Sequence, residues 1–380
     1  MEKIYQTIII GAGPAGLMAG KYLEDALILD KKQEIGKPVQ CGEGISKKAL
    51  DIQGIKPESS WVSCELHKME RIMPNGKVMG SFHQEPIGYI LDRIAFEKFL
   101  ASQCKAKIQL DSKVIDLEYK DNLWFVKIEN NQTFQAKYLI GADGFNSIVR
   151  QKVFPENQEK IEFIPAIEYL VETEKEFNTK AAKIYLDNEK YPQGYAWIFP
   201  KSKNTANIGV GAKGALKEIF DEFLNKVIQK EYGNFKFLEN LSGTTSFKNK
   251  DFKLFKSNAM LVGDAAGLID PIFKAGMTQA MQSAKIAAEF ILKNETNLYE
   301  SKINSMPFAN PILIEAKDIL SSFNNQTLNE LVEILEKKDT SYLKTLPGII
   351  KILSKPHLRK NSFKLFKFLS IWHKNQDYLW

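Results

Sequence analysis

Thr7-Ile8-Ile9-Ile10-Gly11-Ala12-Gly13-Pro14-Ala15-Gly16, with Ala26-Leu27-Ile28-Leu29-Asp30 behind it, decides the fold. The stretch reads as an apolar strand, a glycine-rich turn, a short helix ending near Leu23 and a second apolar strand. An acid, Asp30, closes the unit about 20 residues beyond Gly11. Each glycine has a physical task. Gly11 makes the turn, Gly13 lets a pyrophosphate approach the backbone, and Gly16, next to Ala15, lets helix and strand pack closely. The helix N-terminus offers unpaired N–H groups and the positive end of its dipole to phosphate. Asp30 is placed for ribose hydroxyls, with Lys31 beside it. A second GxGxxG, Gly209-Val210-Gly211-Ala212-Lys213-Gly214, is followed by one amphipathic helix and no apolar strand, so it is not a second dinucleotide unit.

Working outward, two further segments end buried strands in acids. Tyr138-Leu139-Ile140-Gly141-Ala142-Asp143-Gly144 is one, and Ala259-Met260-Leu261-Val262-Gly263-Asp264-Ala265-Ala266-Gly267 is the other. Open α/β sheets bind ligands at the carboxyl ends of their strands. Asp264 is expected to reach ribityl hydroxyls. The helix opening at Gly276-Met277 is expected to aim its N-terminus at a flavin pyrimidine and to stabilise an anionic reduced ring. Three such segments in this order select a flavin, and the cofactor expected is FAD.

Between these α/β segments, strand patterns dominate from about 160 to 211, and the last ~85 residues read mostly helical. The fold class expected is α/β, with a discontinuous Rossmann-like FAD-binding domain, an inserted antiparallel-sheet substrate domain and a C-terminal helical region. The boundaries expected are 1–60, 92–155 and 252–295 for the FAD domain, 61–91 and 156–251 for the sheet domain, and 296–380 for the helical region.

The 380 residues are 44% hydrophobic and 26% charged, a globular composition. No apolar run is long enough to span a membrane, and Glu2 ahead of the first strand fits neither a signal nor a transit peptide. Cys41, Cys64 and Cys104 are widely spaced, which suits a reducing, cytoplasmic setting and offers no metal-ligand pattern. The net charge of +6 sits almost wholly in the tail, on Lys355, Arg359, Lys360, Lys364, Lys367 and Lys374 against Asp377. A nucleic-acid protein would spread a basic face over its fold, so no nucleic-acid partner is expected.

The three flavin segments resemble those of the para-hydroxybenzoate hydroxylase superfamily of FAD proteins. Arg93, in Tyr89-Ile90-Leu91-Asp92-Arg93, matches that superfamily's arginine at the start of a helix approaching FAD. Two more segments resemble the geranylgeranyl reductase family. Tyr195-Ala196-Trp197-Ile198-Phe199-Pro200 with Gly209-Val210-Gly211 reads YxWxFP…GxG, and Pro38-Val39-Gln40-Cys41-Gly42-Glu43-Gly44 matches a loop whose cysteine lies near the flavin ring. Strand alternation puts Tyr195, Trp197 and Phe199 on one face, an aromatic wall suited to a long apolar chain. The resemblance implies reduction of isolated C=C bonds in a polyprenyl lipid or prenyl quinone, by hydride from flavin N5 plus a proton. Cys41 is the candidate acid, with Tyr195 or a flavin-bound water as alternatives. Gly42 and Arg93 are expected at the cofactor, and Tyr195, Trp197, Phe199, Gly209 and Gly211 at the substrate. The electron donor is NAD(P)H or a ferredoxin-like protein. One departure stands out: Lys274-Ala275 replaces the family's Gly-Glu. The alternatives on this scaffold are a monooxygenase or halogenase, although Lys77, in the turn-like Asn75-Gly76, reads as a solvated lysine rather than the catalytic one a halogenase needs, and a non-catalytic flavin-binding, membrane-associated protein.

Residues 358–374 plot as a helix with Lys360, Lys364, Lys367 and Lys374 on one side. Leu358, Leu365, Phe368, Leu369 and Trp372 lie on the other, and Ile371 breaks the pattern. With Tyr378 and Trp380 this suits peripheral attachment to an anionic membrane surface, here the inner face of the cell membrane.

Overall fold

The computed structural model describes residues 3–335 and 345–375, with the side chains of 373–375 left aside. The expected dinucleotide unit forms with strand Ile4–Ile10, helix Pro14–Tyr22 and strand Ala26–Leu29. Ile4–Ile10 lies at the centre of a mixed sheet, parallel to Thr133–Gly141 on one side and to Ala26–Leu29 on the other. Lys107–Gln109 extends the sheet beyond Ala26–Leu29, and Ala259–Leu261 extends it beyond Thr133–Gly141, both parallel. Ala26–Leu29 and Ala259–Leu261 are buried at every position, as strands covered on both faces must be. The helix Met277–Leu292 packs on Pro14–Tyr22 through small residues: a Cβ added to Gly263 would lie 3.3 Å from Ala15 and 3.1 Å from Ala280.

The second sheet is built from the middle of the chain, in the order Phe235–Asn240, Ile161–Thr173, Thr205–Gly211, Tyr195–Pro200, Ala181–Tyr185, Lys68–Ile72 and Val78–Met79. Its central pairs are antiparallel, whereas Ala181–Tyr185 and Lys68–Ile72 run parallel. One face carries Val171, Ile198, Ile208 and Val210 against Phe220, Phe223 and Ile228. The amphipathic helix that follows Gly214 starts at Leu216 and widens into a π-helical turn at Leu224–Ile228. The other face looks towards the first sheet. A third, small sheet joins Gly44–Ser46, Gly88–Leu91 and Val62–Leu66.

The tail differs from its sequence reading. It forms two helices, Pro356–Lys360 and Ser362–Asn375, because Asn361 interrupts the run and donates from Nδ2 to the His357 carbonyl at 2.9 Å. Within the second helix Ile371 lies with Leu365, Phe368 and Leu369 in a core shared with Leu313, Ile319 and Phe323. The tail's apolar face is therefore packed on the body. Two of its lysines are tied down as well: Lys355 pairs with Glu333 at 2.6 Å, and Lys367 pairs with Glu315. Asp377, Tyr378 and Trp380 lie outside the described residues. Among the described residues no helix is long and apolar enough to cross a membrane.

Candidate active site

The two large sheets enclose a cavity of about 840 Å³ between them. At one end is the glycine-rich turn. Gly11 has a φ of +106°, and a Cβ there would lie 2.3 Å from the Ala142 carbonyl oxygen, while one on Gly16 would lie 1.8 Å from the Gly11 oxygen. Helix, turn and neighbouring strand thus touch backbone to backbone. Gly13 is the opposite case. A Cβ there meets no protein atom within 4 Å, because the position faces the cavity. Asp30 holds the turn from the second strand, accepting the Ala12 N–H at 2.5 Å and the Lys32 N–H at 2.8 Å.

Two more turns face the same space. Asp143 is pushed up in pKa by burial, and its Oδ1 is buried without a protein hydrogen-bond partner. Asp264 sits beside Gly276, the residue that opens helix Met277–Leu292, and burial raises its carboxyl to about 6 against the pull of Arg93. Arg150 ties these turns together, donating to the Ala265 carbonyl at 3.0 Å and to the Phe145 carbonyl at 2.5 Å. Arg93, first residue of the helix Arg93–Ser102, is fixed by Glu97 at 2.7 Å. An open backbone at Gly13, an unpartnered carboxylate oxygen at Asp143 and two helix N-termini, at Pro14 and Met277, all fit a bound FAD.

The other end of the cavity is the aromatic wall. Tyr195, Trp197 and Phe199 share one face of their strand, with ring centroids 5.8 Å and 6.3 Å apart along it. Trp197 lies across Gly209 of the adjacent strand, where a Cβ would stand 2.3 Å from the indole. The indole reaches one strand further and donates from Nε1 to Glu168 Oε1 at 2.9 Å. Register makes this possible, because Glu168, Gly209 and Trp197 are partners in one row across three strands. The Tyr195 hydroxyl donates to the Phe273 carbonyl.

The loop carrying Cys41 joins the two ends. Cys41 Sγ accepts the Glu43 N–H at 3.2 Å, and burial pushes the thiol above its ordinary pKa against the pull of Arg93. Glu43 is buried in a left-handed conformation. It pairs with Lys201 at 2.7 Å, accepts from Asn207 Nδ2 at 2.7 Å and accepts the Arg93 N–H at 2.9 Å. Burial raises Glu168 to about 8, with the Trp197 N–H and Lys201 opposing and Glu43 reinforcing the shift.

The structure brings Gly11, Gly13, Ala15, Asp30, Lys31, Cys41, Gly42, Arg93, Asp143, Tyr195, Trp197, Phe199, Gly211, Asp264, Gly276 and Met277 around one cavity. Gly16, Gly209 and Gly263 do not reach its wall. Gly16 and Gly263 are packing positions, and Gly209, expected at the substrate, instead makes room for Trp197. Sequence reasoning missed Glu168 and the Glu43–Lys201–Asn207 cluster. A signal for Glu168 was present: its same-face neighbours Ile164, Ala166 and Leu170 are apolar, so an acid there faces a core. Lys274 also lines the cavity. Its backbone φ is +59°, a conformation natural to glycine, and its ammonium donates to the Pro271 carbonyl. Among the described residues no group of side chains could hold a metal ion.

Comparison with known proteins agrees with this geometry. A family description, geranylgeranyl reductase catalytic domain, matches residues 162–245, the strands that carry the aromatic wall. The digeranylgeranylglycerophospholipid reductase of Methanosarcina acetivorans is 32% identical over 308 residues, covering 76% of this chain and 75% of that protein. The chain belongs to the geranylgeranyl reductase family. The reductase of the same name from Methanosphaerula palustris is 31% identical over 312 residues, covering 77% of each chain. A crystal structure of a geranylgeranyl bacteriochlorophyll reductase-like protein from Thermoplasma acidophilum superposes with a TM-score of 0.79 at 26% identity, over 96% of this chain and 100% of that one. As a member of this family the chain is an FAD-dependent oxidoreductase acting on C=C bonds.

Proposed function

We propose that the protein saturates isolated C=C bonds along the prenyl chains of a digeranylgeranyl-type glycerophospholipid. The observation that carries this reading is the continuity of the cavity: the FAD cradle opens, without a dividing wall, onto Tyr195, Trp197 and Phe199. A prenyl chain offers no hydrogen bonds, so rings supply its contact area while excluding water from the reacting bond. The curated relatives at 31–32% identity are reductases of such lipids. Bound, reduced FAD supplies the hydride. This chain's residues hold the alkene and supply the proton, and Cys41 and Tyr195, the donors expected from the sequence, both face the space where it reacts. Lys77, the lysine a halogenase reading needs, is half-exposed beside Glu333 and does not line the cavity.

The lipid substrate also asks for a membrane face. Leu346, Ile350 and Leu353 project from one side of helix Leu346–Ser354, and Phe363 is 80% exposed nearby in sequence. Lys351, Arg359, Lys360 and Lys364, close to them in sequence, are exposed as well. We assign this apolar patch with these basic residues, rather than the packed tail face, to an anionic bilayer.

The test of the reductase reading is product mass. The FAD-loaded protein, reduced chemically without oxygen, is mixed with digeranylgeranyl glycerophospholipid. A gain of one H2 per double bond is expected. No gain, or a gain of one oxygen atom that requires air, would overturn the reading.

A further inference from the structure

Reduction of an unactivated alkene needs a proton as well as a hydride, and besides the Lys274 ammonium three groups at the aromatic end of the cavity carry one: Tyr195, Cys41 and Glu168. The Tyr195 hydroxyl commits its proton to the Phe273 carbonyl, and burial holds the phenol above its usual range. The Cys41 thiol is also pushed up from an already weakly acidic starting point. Glu168 differs in geometry. It is 3% exposed, lines the cavity, and stands 3.4 Å from where a Cβ on Gly42 would lie, so its carboxyl adjoins the Cys41 loop. The groups facing it are Trp197 and Lys201 from the aromatic strand, Glu43 and Cys41 from the loop, and Tyr195.

The indole fixes which oxygen of this carboxyl can carry a proton. An indole N–H only donates, so Oε1, which receives it, acts as acceptor. The proton of the neutral acid is left to Oε2. A neutral acid at pH 7 agrees with a carboxyl raised to about 8 by burial. Of the three groups it is then the strongest acid that still holds its proton, which is what general acid catalysis requires.

Building on the reductase reading, we propose that Glu168 is the catalytic acid: its Oε2 proton goes to one alkene carbon while hydride from the reduced flavin goes to the other. The π bond breaks, two C–H bonds form, the flavin is oxidised by two electrons, and Glu168 is left as a carboxylate that water reprotonates. Trp197 is a positioning residue that orients the acid. Gly209 is what lets it reach.

The variant that tests this is Glu168→Gln, whose amide oxygen still accepts the Trp197 N–H. With reduced FAD and digeranylgeranyl glycerophospholipid, product formation is expected to fall by about 100-fold or more while bound FAD, read by absorbance, is unchanged. In the parent protein the rate falls as pH rises through about 8, and this limb is absent in Glu168→Gln. A second readout needs neither flavin nor lipid. The infrared C=O band of a protonated carboxyl, present in the flavin-free parent at pH 7, is weaker by one group in Glu168→Gln. Glu168→Asp, which keeps the acid but shortens its reach, replaces Gln if the amide variant does not fold, and is expected to keep the band but lose turnover. Wild-type turnover in Glu168→Gln, or a pH limb that survives there and disappears in Cys41→Ala, would overturn the proposal. If the parent reduces no lipid, the reductase reading fails. The infrared difference then still decides whether Glu168 holds its proton, and no difference at pH 7 would sink the inference.

Discussion

The two glycines of Gly209-Val210-Gly211 look equivalent in sequence and are predicted to behave oppositely. In Gly209→Ala the new Cβ would stand 2.3 Å and 2.6 Å from two indole carbons of Trp197 and 2.9 Å from the Ile167 carbonyl oxygen. Carbon atoms pack at about 3.5–4.0 Å, so the ring must retreat by more than ~1 Å. The Trp197–Glu168 hydrogen bond, 2.9 Å long, then opens beyond bonding range. Overpacking costs about 1–3 kcal/mol, and a buried donor and acceptor left unpaired cost about 1–3 kcal/mol more, so about 2–4 kcal/mol is expected after partial relaxation. In Gly211→Ala the nearest atom is 3.6 Å away, an ordinary contact, and stability should be unchanged. The assay is urea unfolding of the FAD-loaded protein. With a slope of about 3 kcal/mol/M for a chain of this size, the midpoint of Gly209→Ala should fall by about 1 M and that of Gly211→Ala should stay within about 0.2 M. Equal midpoints for the two variants would refute the row of Glu168, Gly209 and Trp197 as the support of the aromatic wall.

Other expected outcomes can be checked alongside it. Gly16→Ala places a Cβ 1.8 Å from the Gly11 carbonyl oxygen and should abolish folding of the α/β half, read as loss of soluble protein. Gly13→Ala meets no protein atom, so the flavin-free chain should unfold at the parent's urea midpoint while FAD affinity falls at least about tenfold, or ~1.4 kcal/mol, by equilibrium dialysis. Burial raises Glu168 to about 8 in the folded chain from the ordinary carboxyl value of 4.5. Between those values the unfolded chain gives up its proton and the folded chain does not, so this group's contribution to stability falls as pH rises and is fully lost above about 8. Glu168→Gln should therefore match the parent near pH 4.5 and be the more stable of the two at pH 8 and above, by urea midpoint. Ile350→Glu, which puts a charge in the exposed face of helix Leu346–Ser354, should cut sedimentation with anionic vesicles at low salt several-fold. Undiminished binding would rule out that face as the membrane contact.

Much of the cofactor end is legible in sequence because its signals are local. Gly11, Gly13 and Asp30 belong to one short strand–turn–helix–strand unit whose geometry is set by backbone sterics. Asp143 and Asp264 are recognisable because each ends a buried strand. Tyr195, Trp197 and Phe199 follow from simple alternation. Glu168 does not, since an acid in a strand is ordinarily an outward residue. Its apolar same-face neighbours point it inward, but only the register of the three strands brings the Trp197 indole to it. Glu43 escapes for a similar reason: Arg93, Lys201 and Asn207 meet it from three separate segments. The tail is a different failure. Its amphipathic pattern is real, but periodicity says only that an apolar face exists, and Leu313, Ile319 and Phe323 cover it where a bilayer was expected.

The position of Ala259–Leu261 beside Thr133–Gly141 bears on how the chain comes to be assembled. On the ribosome the N-terminal part emerges first, so Ile4–Ile10, Ala26–Leu29 and Thr133–Gly141 can pair long before their neighbour exists. Until residue 261 has emerged, the C-terminal half of Thr133–Gly141 is an open edge of apolar residues, the kind of edge that recruits other chains. The strands of the second sheet from Ile161–Thr173 to Phe235–Asn240 must be synthesised during that wait. Arg150, whose Ala265 partner arrives equally late, cannot yet close the flavin turns. Flavin capture is thus a late event in the life of the nascent chain, and truncation anywhere before residue 261 yields a sticky product, however well its dinucleotide turn is formed.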